Sequence, residues 1–349
     1  MNKCIFVDAS SELSIRDIPE EYHPQGGQAL VKVQYSGINP ADLNHAKHLG
    51  MNNNVCGYEI CGTVIEAGPS SRYAVGDIVF GSNYPGRSKP SYHGGHQDFT
   101  ILESDPMSMK LPAQVPHADG AALGVMVRTA GDALMNMFGI PFPAIQVHGP
   151  PATGGLLIWG GASTVGTAAI QLAKAMGVNP IFTTASPANH EALLELGATQ
   201  CFDYRDPNVV EIVRAAAEEK GTPIVYILDT VCKEGSPGTV EQCESIATAP
   251  NVTFAGCLPQ IGKPQWKMVF ASRGIDAFVP FPIPGGGKAN MEWESRLERA
   301  VVWAATNYGK EFRIPNVKIV KGAESGVQAI KDVNEGRVNF AKVVIEHPL

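Results

Sequence analysis

The chain reads as an α/β protein: a doubly wound parallel sheet set into a smaller β-rich domain whose two parts flank it. Three observations predict this. Between Leu156 and Ala255 short apolar runs alternate with amphipathic segments of helix length, the pattern of βαβ units covered on both faces. Before residue 120 the chain shows short β runs punctuated by glycine, and after Pro280 the alternation stops and a β run closes the sequence. Its 349 residues also exceed the ~100–150 that one core usually serves. Residues 1–122 are therefore expected as the first part of the β-rich domain, 123–282 as the α/β domain and 283–349 as the second part.

Met1–Glu20 begins as a strand and soon becomes charged, so it lacks the continuous apolar stretch of a signal peptide. Ala29–Tyr35, Gly62–Glu66 and Asp77–Phe80 read as strands, Ser82–Gly95 as a Pro/Gly/Ser-rich loop, and Asp98–Leu102 as a further strand. Apolar residues at helical spacing make Gly120–Phe138 a helix, and the four prolines of Pro141–Gly155 mark a connector. Strands then follow at Leu156–Trp159, Pro180–Thr184, Gln200–Phe202, Ile224–Leu228 and Val252–Ala255. Helices separate them at Thr164–Met176, Ala188–Leu196, Asn208–Lys220 and Val240–Ala247. Phe281–Lys288 is a connector, Met291–Asn307 a long amphipathic helix, and the chain ends in a helix near Ser325–Glu335 and a strand, Ala341–Glu346.

Composition excludes several classes. The 27 basic and 34 acidic side chains give a net charge of −7 with no block of like charge, so nucleic acid finds no electrostatic footprint. Hydrophobic residues at 44% and charged residues at 17% fit a globular core rather than disorder. No run approaches the ~18 apolar residues of a membrane span. The seven cysteines are an odd, scattered set without C-x-x-C, which reads as buried thiols in a reducing, cytoplasmic setting.

Glycine, 37 residues in all, concentrates where chemistry is expected. The first βαβ unit carries Leu156-Leu157-Ile158-Trp159-Gly160-Gly161-Ala162-Ser163-Thr164-Val165-Gly166. A dinucleotide turn needs glycine at the sharp bend, where backbone approaches pyrophosphate, and where helix meets strand. Gly161 and Gly166 take the first and third places, while Ser163 breaks the motif at the second. About 20 residues on, NAD sites place an acid that accepts from the ribose 2′-OH; here stand Ser186 and Asn189, with no acid before Glu191. That favours a 2′-phosphate and hence NADPH, although Ser186 is equally suited to capping the helix after it.

The runs Gly37-Ile38-Asn39-Pro40-Ala41-Asp42, Gly57-Tyr58-Glu59-Ile60-Cys61-Gly62-Thr63-Val64 and Val75-Gly76-Asp77-Ile78-Val79-Phe80-Gly81 resemble the N-terminal domain of medium-chain dehydrogenase/reductases. Thr129-Ala130-Gly131, the glycine turn, Leu196-Gly197-Ala198 and Phe202-Asp203-Tyr204 extend the resemblance over nearly the whole chain. It implies a GroES-like domain split around a Rossmann domain. Zinc-dependent members carry a cysteine where this chain has Asn39, a histidine where it has Tyr58, and a four-cysteine lobe absent here, so no metal is expected. A substitute site from Cys56, Cys61, His93 and His96 is disfavoured, because Gly94–Phe99 resembles a strand entry of zinc-free members.

The Asn39-Pro40 pair resembles quinone oxidoreductases, and Pro141–Gly155 with Ser186–Asn189 resembles fungal trans-acting enoyl reductases that serve polyketide synthases. By that resemblance Gly161, Ser163, Thr164, Val165 and Gly166 line the pyrophosphate, and Ser186, Asn189 and Tyr204 the 2′-phosphate and adenine. Leu258 and Asn339 fall near the nicotinamide, and Thr129, Ile275, Phe278 and Val279 border the substrate. Two places depart from those reductases: Asn44 stands where a lysine is frequent, and Asn339-Phe340 where a Ser-Gly pair is.

Without a metal, a conjugated carbonyl is the natural hydride acceptor, since the enolate that develops is stabilised by hydrogen bonds and then protonated. Tyr58 is the candidate donor, against a role as a pocket-wall ring, and Asn39 the candidate carbonyl contact, against a role in holding its loop. His45 and His48 read as surface residues, and the Tyr-x-x-x-Lys pair of short-chain reductases is absent. The expected function is NADPH-dependent reduction of a small or carrier-bound enoyl substrate, the carrier being a polyketide synthase. A quinone reductase and a non-redox member that binds or cyclises a metabolite are the alternatives. A strand near 275–279 would either join two copies in a homodimer or lie covered in a monomer.

Overall fold

The structure, a computed structural model, describes residues 1–86, 89–277, 279, 281–283 and 286–349. The chain forms two compact units, one of Met1–Val125 and Asn316–Leu349, to which Val279 also belongs, the other of Met126–Ala277 and Phe281–Pro315.

In the first unit, strands in the order Val317–Lys321, Lys342–Glu346, Gln28–Gly37, Glu59–Ala67, Ile78–Ser82 and Ser108–Lys110 form the main sheet, with Phe99–Glu103 also paired to Gln28–Gly37. Alternation explains the inner face: Ala29, Val31 and Val33 point one way and pack with Ile60, Val64, Val79 and Leu102. The chain's last strand enters this sheet antiparallel, Val344 opposite Gly37, while Gly37 on its other side faces Glu59. That register sets Asn39, Glu59 and Lys342 side by side. Asn2–Val7, Leu13–Ile18 and Asn54–Val55 make a second, three-stranded sheet. A helix the sequence pattern did not announce, Ala41–Leu49, buries Leu43 and Ala46 against Ile5, Ile330 and Ile345 and stops at Gly50 in the left-handed region.

The second unit holds a six-stranded parallel sheet in the order Gln200–Phe202, Ile181–Thr184, Gly155–Trp159, Ile224–Asp229, Thr253–Gly256, Trp266–Met268. The first strand in sequence, Gly155–Trp159, lies third, so the winding reverses between it and Ile224–Asp229, the point at which doubly wound sheets bind ligands. Its last strand is Trp266–Met268, not the expected 275–279: Ile275, Asp276, Ala277 and Val279 are non-strand, and Phe278 lies outside the described residues. Trp266, buried against Phe254, anchors that strand, whereas Ile275, Asp276, Ala277 and Val279 offer only half-buried or exposed side chains.

The expected helix Gly120–Phe138 runs as His117–Gly131 and then widens to a π-helical turn, Asp132–Met137. Asp132 is buried and bound through both oxygens by Arg273, at 2.8 and 2.6 Å, which accounts for the irregular turn being held. Beside it the buried Arg128 guanidinium bonds Glu294 of the helix Met291–Thr306. That helix also packs Leu297 and Ala300 into the unit, so the chain returns to the first unit at Asn316, later than 283. The seven cysteines are free thiols, and no described helix is long and apolar enough to cross a membrane.

Candidate functional site

In the second unit the candidate residues gather at the C-terminal edge of the parallel sheet. Thr184 pairs with Trp159 on one side and with Phe202 on the other, so the segments that leave these strands, carrying Gly161–Gly166, Ser186 and Tyr204, emerge together. Gly160 bends the chain at φ +87°, a conformation glycine adopts freely. A Cβ on Gly161 would stand 2.1 Å from Thr183 Oγ1, and one on Gly166 would stand 2.4 Å from the Gly160 carbonyl. At Gly166 the helix head therefore meets the turn backbone to backbone, while Gly161 lies against the Thr183 side chain.

Ser163, the break in the motif, has a structural explanation. It is the N-cap of the helix Thr164–Ala175: Gly166 N donates to its Oγ at 2.9 Å, and its hydroxyl donates to Thr230 Oγ1 at 2.9 Å. The amides of Thr164 and Val165 head the same helix without a partner among the described residues. They present donors and the positive end of the helix dipole to an anion, so this cradle fits a dinucleotide pyrophosphate. Ser163→Ala is expected to lower stability by about 1 kcal/mol, read as a shifted urea midpoint with an unchanged slope; an unshifted midpoint would deny the cap.

Ser186 opens the short turn Pro187–Asn189 and bonds Asn189 N through its carbonyl at 2.9 Å, leaving its hydroxyl uninvolved in capping. Asn189 is buried, whereas Tyr204 is half exposed beside an Arg205 guanidinium that pairs with Asp203. Leu258 follows the strand Thr253–Gly256 at the same sheet edge and is 44% exposed. Thr129 is buried on its helix and Ile275 half-buried in a loop.

In the first unit lie Asn39, Tyr58, Val279 and Asn339, the last two half-buried and exposed respectively. Asn39 is gripped by two residues the sequence reading did not single out. Lys342 Nζ donates to its Oδ1 at 2.6 Å and to Glu59 Oε2 at 2.8 Å, while Asn39 Nδ2 donates to the same Glu59 oxygen at 2.8 Å. All three are buried, and Val125 N donates to Glu59 Oε1 at 2.6 Å. The signals were a lone lysine inside the apolar run Ala341–Ile345 and the acid directly after Tyr58. Behind Asn39, a buried chain of contacts runs from Asp42 Oδ2 through His96, Ser36 and His347 to Asp98, each step between 2.9 and 3.1 Å.

Tyr58 is buried and its hydroxyl lies 2.9 Å from His45 Nδ1. His45 is thus a half-buried partner, not the surface residue expected, because the helix Ala41–Leu49 turns it inward; His48 is exposed. Burial, reinforced by Asp42, pushes the Tyr58 phenol well above its ordinary range, and burial pushes His45 down to about 4. Lys89, from the loop, is held down to about 8 by burial. Among the described residues no three His, Cys, Asp or Glu side chains are arranged to hold a metal ion. Cys56 Sγ points to the Asp42 carbonyl, His96 is held by Ser36 and Asp42, and His93 pairs with Glu103.

The chain matches two family descriptions: the alcohol dehydrogenase GroES-like domain over residues 25–113, and the zinc-binding dehydrogenase over residues 164–265. It is 30% identical over 326 residues to the trans-enoyl reductase himH of Aspergillus japonicus, covering 91% of this chain and 89% of that one. Among solved structures it resembles the CurK enoyl reductase, with a TM-score of 0.75 at 20% identity over 99% of both chains. It also resembles a mycobacterial protein complexed with NADPH, with a TM-score of 0.73 at 19% identity over 99% of this chain and 100% of that one.

Proposed function

The chain belongs to the medium-chain dehydrogenase/reductase family, and from that membership we propose that it is an NADPH-dependent, zinc-free reductase of α,β-unsaturated carbonyls. The substrate we assign is an enoyl thioester carried on a polyketide synthase and reduced in trans, in line with the trans-enoyl reductases it is similar to. One observation carries the cofactor reading: the sheet edge offers helix-head amides at Thr164 and Val165 that have no partner among the described residues, the Ser186 hydroxyl, and no carboxylate where an NAD site places one.

When bound, NADPH supplies the hydride. The chain's own residues do the rest. Gly161 and Gly166 let the pyrophosphate approach the backbone, and Ser186, Asn189 and Tyr204 meet the 2′-phosphate and adenine. Leu258 and Asn339 serve the nicotinamide half, and Thr129, Ile275 and Val279 the substrate. Lys342 and Glu59 fix both ends of the Asn39 carboxamide, which leaves its second Nδ2 hydrogen to donate to the oxygen on which enolate charge develops. Tyr58 keeps its proton at neutral pH because burial disfavours the phenolate, so it is the acid. A carboxamide and a phenol, each already hydrogen-bonded within the protein, stand where zinc-dependent members have ligands, and they are a poor set for that metal.

Calorimetry should show micromolar binding of NADPH and at least tenfold weaker binding of NADH. Stopped-flow absorbance should then show NADPH oxidised by short enoyl pantetheine thioesters. Equal affinity for the two cofactors would remove the 2′-phosphate assignment. Oxidation by quinones alone would move the chain to the quinone-reductase reading.

A further inference from the structure

Three side chains far apart in sequence meet at the start of the strand Glu59–Ala67. The Tyr58 hydroxyl and His45 Nδ1 are 2.9 Å apart, with the two rings edge to face at 67°. Lys89 Nζ lies 4.6 Å from the centroid of the Tyr58 ring, within cation–π range. Its one hydrogen bond among the described residues is to the Gly57 carbonyl, at 3.1 Å. Lys89 is half-buried, and an ammonium with three donors that meets one protein acceptor is less favourable there than an apolar side chain of the same reach. The packing of the loop does not call for this lysine. The ring it covers does, if that ring acquires negative charge.

We propose that Lys89 and His45 act through Tyr58 as the proton-delivery relay of the reductase, Lys89 stabilising the phenolate and His45 returning the proton. This rests on the reductase reading above. The substrate β-carbon takes a hydride from the reduced nicotinamide, and the electron pair of the carbon–carbon double bond moves into an enolate. The α-carbon then takes the Tyr58 hydroxyl proton, and the O–H pair stays on the phenolate oxygen. His45 passes its Nδ1 proton to that oxygen while Nε2 takes one from water. The sum is one hydride and one solvent proton added across the double bond, with the nicotinamide oxidised. Tyr58 is the catalytic residue of the three; His45 and Lys89 are positioning residues.

The placement suits the task. Tyr58 is buried, while His45 is half-buried and keeps part of its side chain exposed, which is the relay's route to water. The charged and titratable groups facing the trio are Asp42 on His45's own helix, Cys56, His96 bonded to Asp42, and His93 with its partner Glu103. Burial keeps His45 neutral down to about pH 4, so it passes a proton rather than storing one. Lys89, held down to about 8, carries its charge below that pH and loses it above. The Tyr–Lys pair that is missing as a sequence motif is thus assembled in space.

With an enoyl pantetheine and NADPH, kcat of the unmodified protein is expected to fall as the pH rises past about 8. Lys89→Met should remove that limb and lower kcat at neutral pH by roughly 10- to 100-fold with KM little changed, and Lys89→Arg should recover most of it. His45→Ala should lose about 100-fold in kcat, and added imidazole should restore a substantial part, which a purely structural role would not allow. Without turnover, nitrogen-15 spectra of labelled histidine should show a neutral, Nδ1-bonded His45 signal that moves in Tyr58→Phe and in Lys89→Met. A folded His45→Ala protein with full activity, or a basic limb that survives in Lys89→Met, overturns the relay while the reductase stands. Failure of the unmodified protein to oxidise NADPH with any enoyl thioester removes the reductase reading instead. In that event a His45 signal indifferent to both substitutions would overturn the trio on its own.

Discussion

Replacing Glu59 by alanine is expected to destabilise the first unit by about 3–5 kcal/mol, the range seen when one partner of a buried ion pair is removed. The carboxylate is buried and fully used: one oxygen accepts from Val125 N at 2.6 Å, the other from Asn39 Nδ2 and Lys342 Nζ at 2.8 Å each. Its removal strands a buried ammonium with the Asn39 amide oxygen as its remaining acceptor. Glu59→Gln should do less harm, because an amide oxygen can still accept from Lys342 and Asn39; its cost is the NH2 group set donor to donor against the Val125 N–H. Adding Lys342→Met to Glu59→Ala should recover much of the loss, as the charge left unpaired goes with it. Urea unfolding followed by a probe in the first unit measures this. A Glu59→Ala protein within about 1 kcal/mol of the parent would mean the pair contributes no more than a surface contact.

The same cluster shows where sequence reading stops. In the second unit the order of strands and helices was legible because each apolar run sits in a sheet covered on both faces, and burial writes itself into local composition. Leu156–Trp159, Gln200–Phe202 and Ile224–Leu228 match the observed strands to within a residue at each end. The first unit's chemistry is not local. Glu59 and Lys342 are separated by 283 residues and meet only because Val344 and Glu59 both register on Gly37. Lys89 stands in a stretch whose Pro, Gly and Ser content announces a loop and nothing about what the loop covers. His45 was misplaced for a related reason: the nine-residue helix Ala41–Leu49 is stabilised by packing Leu43 and Ala46 against distant strands, with little periodicity of its own. Ser163 reads in the sequence only as the break in the glycine motif, and the capping role was open to Ser186; the structure gives the cap to Ser163 and none to the Ser186 side chain.

Gly166→Ala should weaken NADPH binding by about 100-fold, the scale at which a misplacement near 1 Å acts, and should lower stability by about 1–3 kcal/mol through overpacking. The added methyl would lie 2.4 Å from the Gly160 carbonyl oxygen and 2.8 Å from Gly161 Cα, both backbone atoms of the turn itself. The clash is relieved only by moving the helix head, and with it the Thr164 and Val165 amides. Gly161→Ala meets a different obstacle, a side chain: its methyl would lie 2.1 Å from Thr183 Oγ1, which donates to the Ile158 carbonyl at 2.7 Å. Thr183→Ala in the same chain removes that atom, so the double variant should regain part of the lost affinity, whereas no side-chain replacement beside Gly166 can do the same. Calorimetric titration with NADPH, with unfolding measured on the same samples, separates the two. If a folded Gly166→Ala protein binds NADPH as tightly as the parent, the pyrophosphate does not lie against this helix head, and the assignment of Ser163, Thr164 and Val165 falls with it.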